Sequence, residues 1–598
     1  MTAWRDEALE ETLLDSINLD APWALVERFS TLVRESGSRE EELAVAEITA
    51  RLDEWGIDYE LHRPTCLISL PRESSLEVYG PGARTVAAKT PAMAASTDGL
   101  AIRGEVVYLP SGYAHGVGDL FASDLRAEAG QVAGKVVLTE GLPMPQKVAD
   151  LTSLGALAAV FISPGERIHE GICTTIWGAP DLDSLPRQPT LPVLGVSRDD
   201  GARLVEEARA GGLEVGIVTR LDTGWRPIPV LVAEIRAGAP TAEPDKFVLL
   251  HAHLDSWHVG VGDNATGDAT LLEIARVFAR HSSRLARTLR IAWWSGHSHG
   301  RYAGSTWYAD EFALDLVENC VAQVNCDSPG CRWADTYDDL TVMSELEAVT
   351  LAAARDATGI EPQPTRPPRA GDYSFNNLGI SGSLMLSSTM SEAARQERGY
   401  YAVGGCGGNI AWHTEDDTLE IADRDNLVRD MRLYAALVLR LLNAPLHPLD
   451  FRRTVDDFAS TLDRYAEAAG DHFDLAPARL ELRRLRDDLA RYYSAAYTLA
   501  SRPLDDPAVR QFNATLRALA RLLVPVNHGR GGAFRHDPAL DVQPLPDLAP
   551  ALLLADGAAD GDRAHVIATH LLRGRNRLIW TLRQARALVA SAPTSVER

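Results

Sequence analysis

The chain has 598 residues and a formal net charge of −24, from 59 Lys and Arg against 83 Asp and Glu. That balance argues against a nucleic-acid partner, because a phosphate-binding surface needs clustered Lys and Arg. With 45% hydrophobic and 24% charged residues the composition is that of a soluble globular protein, and its length asks for about two to four domains rather than one core. The start, Met1-Thr2-Ala3-Trp4-Arg5-Asp6-Glu7, lacks the basic residues and apolar run of a signal peptide, and no apolar run is long enough to span a bilayer. Six scattered cysteines show no framework spacing and read as the reduced thiols of a cytoplasmic protein.

Residues from about 22 to 55 read as helical, with Trp23, Leu25, Val26, Phe29, Leu32 and Val33 at helical spacing, then Leu43, Val45, Ile48 and Leu52. Asp58 to Leu70 reads as strand. Between about 80 and 228 the texture becomes short β-like runs, such as Val106-Val107-Tyr108-Leu109, Val136-Val137-Leu138 and Val160-Phe161-Ile162, divided by Gly- and Pro-rich turns. This predicts a β-rich insert over 80–228 in a domain that begins at 1–79 and resumes at 229–447. The resumed part alternates strand and helix: strands at 229–237, 247–251, 288–294 and 321–325, with helices through 268–280 and from 304. Near-continuous apolar strands in this alternation predict an α/β fold with a mixed, mostly parallel sheet and flanking helices. From 448 to 598 apolar stripes such as Leu482, Leu485, Leu489 and Tyr492, or Leu516, Leu519 and Leu523, predict a helical domain.

In sheets of this type function gathers at the carboxyl ends of the strands. Four clusters fall there or in the following loops: His253-Leu254-Asp255, Gly262-Asp263-Asn264-Ala265-Thr266-Gly267, Asn325-Cys326-Asp327 and Trp412-His413-Thr414. A neutral imidazole is a good zinc ligand, and a nearby carboxylate can hold its ring in orientation. A carboxylate such as Asp263 can bridge two cations, and Asp327 after a buried strand would be costly without a partner or a metal. Each alone could be a helix cap or a surface residue; all four in this order point to a metal site. His251 reads as a strand residue. Arg366, Arg369, Asp372 and Tyr373 lie in a Pro-rich loop and read equally well as pocket or as surface.

The set HxD, GDNATG, a strand ending in NxD, and HTxxDT resembles the co-catalytic zinc metallopeptidases, the aminopeptidases and glutamate carboxypeptidase II among them. The insert resembles a protease-associated (PA) domain. The tail, including Phe512-Asn513-Ala514-Thr515, resembles the helical dimerisation domain of glutamate carboxypeptidase II and the transferrin receptor, which implies a homodimer. By position the resemblance implies one zinc on His253 and Asp327, a second on His413, Asp263 bridging, Asp255 orienting His253, and a water between the metals as nucleophile. It implies cleavage of a small peptide or amide substrate. One part departs from the family: where two adjacent glutamates are expected, as general base and metal ligand, this chain reads Gly296-His297-Ser298-His299-Gly300. The following turn, Gly300 to Ser305, is one residue longer than the family's. Three readings stay open. In the first, His297 is the base and His299 a metal ligand; in the second, one Zn2+ binds rather than two; in the third, the dimer binds metal without catalysis. A non-peptide C–N bond is the alternative substrate.

Overall fold

The computed structural model describes residues 4–591, apart from 117, 122, 124, 126, 127, 495 and 558–560. Its strands run in chain order from β1 (Asp58–His62) and β2 (Thr65–Val78) through β3 (Arg84–Ala87), β4 (Ile102–Tyr108) and β5 (Val136–Glu140). β6 (Ala158–Ile162), β7 (Val193–Val196), β8 (Glu214–Pro227), β9 (Val230–Ile235) and β10 (Glu243–His253) follow. The last are β11 (Arg287–Trp294), β12 (Cys320–Asn325), the short pair β13 (Leu340–Thr341) and β14 (Pro364–Thr365), and β15 (Gly382–Ser383).

One sheet has the order β1-β9-β11-β10-β12-β15. β10, β11, β12 and β15 run parallel, and β9 pairs antiparallel with both β11 and β1. The mixed α/β architecture is thus as expected. β10 to β12 carry side chains buried on both faces, because helices cover both sides. Helix Thr266–Arg280 and helix Arg424–Asn443 pack on one face in the main hydrophobic core.

The second sheet, β3-β2-β8-β4-β5-β6-β7, is the insert. It takes in β2 from Thr65, earlier than residue 80, because β2 and β8 pair along nearly their whole length, from Thr65↔Pro227 to Val78↔Val215. Apolar alternation alone could not assign β2 to one sheet or the other. The helical reading of 22–55 is interrupted. Helix Asp20–Phe29 ends, and helix Arg39–Trp55 starts at Ser38, whose side chain accepts from Glu41 N. Val33 and Leu43 are exposed. The link between these helices carries buried Arg34, which donates to the carbonyls of Leu254, Val259 and Gly260. From Phe451 onward the chain is helical, with helices Phe451–Ala469, Ala476–Ser494, Pro507–His528 and Gly561–Ser591 packed together. No described helix is long and apolar enough to cross a membrane.

Candidate metal centre

β10 ends at His253, with β11 and β12 on either side, so the tips of three parallel strands set the floor of the site. His253 Nε2 lies 2.8 Å from Asp263 Oδ1 and 3.7 Å from Asp327 Oδ2. His413 Nε2 lies 3.1 Å from Asp263 Oδ2, so the Asp263 carboxylate stands between two imidazoles. His253, His297 and Asp327 each offer a donor atom within 4.8 Å of the other two. The His297 ring stacks on that of His253 with centroids 3.8 Å apart.

Each of these histidines is held by its other nitrogen. His253 Nδ1 donates to the Asp255 carbonyl at 2.8 Å, and His413 Nδ1 to the Glu170 carbonyl at 3.0 Å. His297 Nδ1 donates to Asp372 Oδ2 at 2.8 Å. A carbonyl or carboxylate oxygen can only accept, so Nδ1 carries the hydrogen and Nε2 is left with its lone pair. Two such Nε2 atoms then face a carboxylate at hydrogen-bond distance, which is favourable only with a proton or a cation shared among them. Burial would lower the His253 pKa, yet the Asp327 and Asp263 charges raise it well above its usual value. Burial would raise Asp263, yet His253 and His413 hold it well below. The donor set, imidazole nitrogens with carboxylate oxygens, fits zinc.

The loop carrying Asp263 is locked from below. Asn264 Nδ2 donates to the Cys326 carbonyl, and its Oδ1 accepts from Ser328 N and Gly267 N. A Cβ on Gly267 would sit 2.2 Å from Asn264 Oδ1, so only glycine lets this side chain under the helix. The peptide bond between Asp263 and Asn264 is cis. Asp417 accepts from Gly262 N at 2.7 Å and Asp263 N at 3.0 Å. Burial, with the Asp263 charge beside it, pushes the Asp417 carboxyl up to about 7 against those two bonds. Glu170 belongs to the insert and exchanges both its backbone groups with His413, its N–H donating to the His413 carbonyl at 2.8 Å. The insert therefore fixes one of the imidazoles that face Asp263.

Asp255 corrects the sequence expectation. Its carboxylate does not orient His253; its main-chain oxygen does. β10 stops at His253, so strand alternation no longer aims residue 255. The carboxylate instead accepts from His297 N at 3.0 Å and Ser298 N at 2.8 Å, capping the one-turn helix His297–Gly300. Burial would raise this carboxyl, but its bond with His299 and the nearby histidine charges hold it far below its usual value.

His299 is held by Ser36 and Asp255. The Ser36 hydroxyl donates to Asp255 Oδ2 at 2.7 Å and lies 2.9 Å from His299 Nδ1, which also accepts from Ser36 N at 3.4 Å. The His299 ring packs on Trp257 with centroids 4.2 Å apart. After Gly300, Arg301 and Tyr302 adopt φ of +49° and +69°, while His297 N and Ser298 N stay on the Asp255 carboxylate. Gly296, at φ +77°, starts this turn where a Cβ would meet Ala303 at 2.9 Å.

A small cavity of about 60 Å³ opens over the centre, bordered by His297, Ser298, Asp327 and His413 below and by Leu142, Met144, Glu170 and Ile172 of the insert above. Tyr302 packs edge-on against His297 at 4.8 Å and tilted against Trp177 at 4.4 Å.

Residues 231–438 match the sequence model of Peptidase family M28. This part of the chain is similar to that family. Aminopeptidase NAALADL1 of Mus musculus is 24% identical over 328 residues, covering 47% of this chain and 41% of that protein. A protein of Schizosaccharomyces pombe described as an inactive zinc metalloprotease is 23% identical over 291 residues, covering 47% of this chain and 35% of that protein. The chain thus spans well under half the length of these curated relatives. Among solved structures, the aminopeptidase from Aneurinibacillus sp. strain AM-1 superposes with a TM-score of 0.52 at 19% identity, covering 72% of this chain and 95% of that one. The Peptidase M28 precursor from Shewanella amazonensis SB2B gives 0.53 at 18%, covering 72% and 96%. These likenesses establish the zinc aminopeptidase fold.

The M28 match covers the four motifs read in the sequence. Asp372 stood among loop residues with no preferred role; nothing in its local sequence marks it as the acceptor of His297. The sequence assigns no role to Glu170, Arg301 or Asp417. Only for Asp417 was there a signal, as the Asp of HTxxDT.

Proposed function

We propose that the chain is a metal-dependent hydrolase that cleaves a peptide or amide bond in a small substrate. The observation that carries this reading is the Asp263 carboxylate between His253 Nε2 and His413 Nε2, with both imidazoles pinned through Nδ1. His253, Asp263 and Asp327 would hold one Zn2+, and Asp263 with His413 a second, weaker one, since Ser298 offers no carboxylate there. Divalent cations bound there would polarise the substrate carbonyl and supply an activated water.

His297 is the proposed general base. Asp372, itself receiving the Ser305 hydroxyl at 2.6 Å, keeps the hydrogen on Nδ1 and the Nε2 lone pair toward the cavity. Burial would raise the Asp372 carboxyl, but the His297 charge and hydrogen bond hold it below its ordinary value. A buried carboxylate that fixes the tautomer of a base is a common way to prepare an imidazole for proton transfer. His299 is assigned to support rather than ligation, through Ser36 and Asp255. The insert wall limits water and narrows the site to a small group.

The insert is proposed to be PA-like, from its position and its sheet. A homodimer through the helical domain is supported by the exposed apolar residues Val566, Leu572 and Trp580 of helix Gly561–Ser591. A cytoplasmic location is supported by six buried free cysteines.

The test is elemental analysis of the chain, purified without chelators or a His-tag, alongside amino-acid release from a dipeptide and aminoacyl-amide panel. One to two zinc per chain with release supports the proposal. Zinc without turnover on any peptide or amide favours the non-catalytic metal-binding dimer, the reading that Ser298 in place of a carboxylate would support.

A further inference from the structure

Other buried arginines in this fold each donate to acceptors of the protein, although Arg287, Arg366, Arg369 and Arg440 leave one nitrogen unpartnered. Arg34 donates to the carbonyls of Phe29, Leu254, Val259 and Gly260. Arg521 donates to those of Leu316, Val317, Gly379 and Cys320. Arg369 stacks on Trp177 and donates to the carbonyls of Tyr373 and Asp537.

Arg301 differs. It is only 3% exposed, and its Nε and Nη2 are buried without any hydrogen-bond partner. Its guanidinium carbon lies 5.1 Å from the centre of the Tyr302 ring, and no described carboxylate pairs with it. Its backbone is anchored to the insert, the Arg301 carbonyl accepting from Gly178 N at 2.7 Å. The side chain borders the same cavity as His297, Ser298 and Asp327. It occupies the turn that carries the extra residue between Gly300 and Gly304. An unpaired buried charge is expensive to keep, and its partner is commonly a ligand rather than the protein.

We propose that Arg301 is a specificity-determining residue that receives a carboxylate of the substrate, which makes the substrate an anionic peptide or amide. The planar fork of a guanidinium matches a carboxylate in two parallel hydrogen bonds. The cavity, about 60 Å³ with an apolar wall of Leu142, Pro143, Met144 and Ile172, admits such a small group. This proposal rests on the hydrolase reading for the word substrate, but not for the binding of the carboxylate.

The experiment uses the zinc-loaded full chain and two matched pairs: Ala-Glu-amide against Ala-Gln-amide for a side-chain carboxylate, and Ala-Ala against Ala-Ala-amide for a terminal one. The wild type should favour the anionic member of one pair by about 10- to 100-fold in kcat/KM, the scale of a charge-assisted hydrogen bond. The favoured pair identifies the source of the carboxylate. Arg301→Met should erase the preference and Arg301→Lys restore part of it. Glutarate binding by calorimetry, which needs no turnover, should weaken about 10-fold or more in Arg301→Met. The Tm of Arg301→Met should rise, because an unpaired buried charge is gone; a merely structural arginine would lower it. Peptide hydrolysis with no anionic preference, or glutarate binding equal in wild type and Arg301→Met, overturns the assignment. No hydrolysis of any substrate, with glutarate binding lost in Arg301→Met, sinks the hydrolase reading and leaves the carboxylate site standing.

Discussion

Asp372→Asn separates an acting His297 from a decorative one. Asp372 is buried and accepts from His297 Nδ1 at 2.8 Å and from Ser305 Oγ at 2.6 Å. The amide is nearly isosteric but uncharged, and its NH2 turned toward Nδ1 would donate. That would move the His297 hydrogen to Nε2 and abolish the lone pair facing the cavity. Losing a charge-assisted hydrogen bond costs about 1.5–3 kcal/mol, and losing a correctly poised base costs about 10²- to 10⁴-fold in rate. The kcat should therefore fall by about 10²-fold or more while zinc content stays at the wild-type level, because Asp372 touches neither Asp263 nor His413. Steady-state kinetics on the best panel substrate, elemental analysis, and nitrogen NMR of the His297 ring are the assays. A kcat within about threefold of wild type, or a wild-type ring already protonated on Nε2, would refute the reasoning.

Other predictions follow from the same geometry. Asp263→Ala should lose most of the bound zinc, since it removes the oxygens shared by His253 and His413; zinc retained in full would reject Asp263 as the bridge. His299→Ala should keep its zinc but lose about 1–3 kcal/mol of stability in denaturant unfolding, because it leaves the buried Ser36–Asp255 pair short of a partner; loss of one zinc per chain would instead make His299 a ligand. Asp268 is fully enclosed with both carboxylate oxygens unpartnered, and burial, against the Arg34 charge, pushes it from 3.8 up to about 8. The folded state then holds a proton that the unfolded state has released across this range. Its contribution to stability is thus present below about pH 4 and lost as pH rises toward about 8. Asp268→Asn should flatten that part of the Tm–pH profile and be the more stable protein at pH 8; parallel profiles for the two proteins would reject the shift.

The strand–helix alternation of 229–447 and the motifs around His253, Asp263, Asp327 and His413 were readable from residue type and spacing. Apolar runs ending in ligand-type residues carry both the strand and its carboxyl-end position. Three things needed the folded chain. The β2–β8 pairing that opens the insert at Thr65 is a contact between segments about 150 residues apart, invisible to local periodicity. The role of Asp255 turned on where β10 stops, since two residues past the strand's end the alternation rule no longer aims a side chain. The division of labour within His297-Ser298-His299 depended on partners from Asp372, Ser36 and Trp257, which reach the site from three different segments. Local sequence specifies which atoms can bind, and long-range packing decides which nitrogen of each imidazole is occupied and which is left free to act.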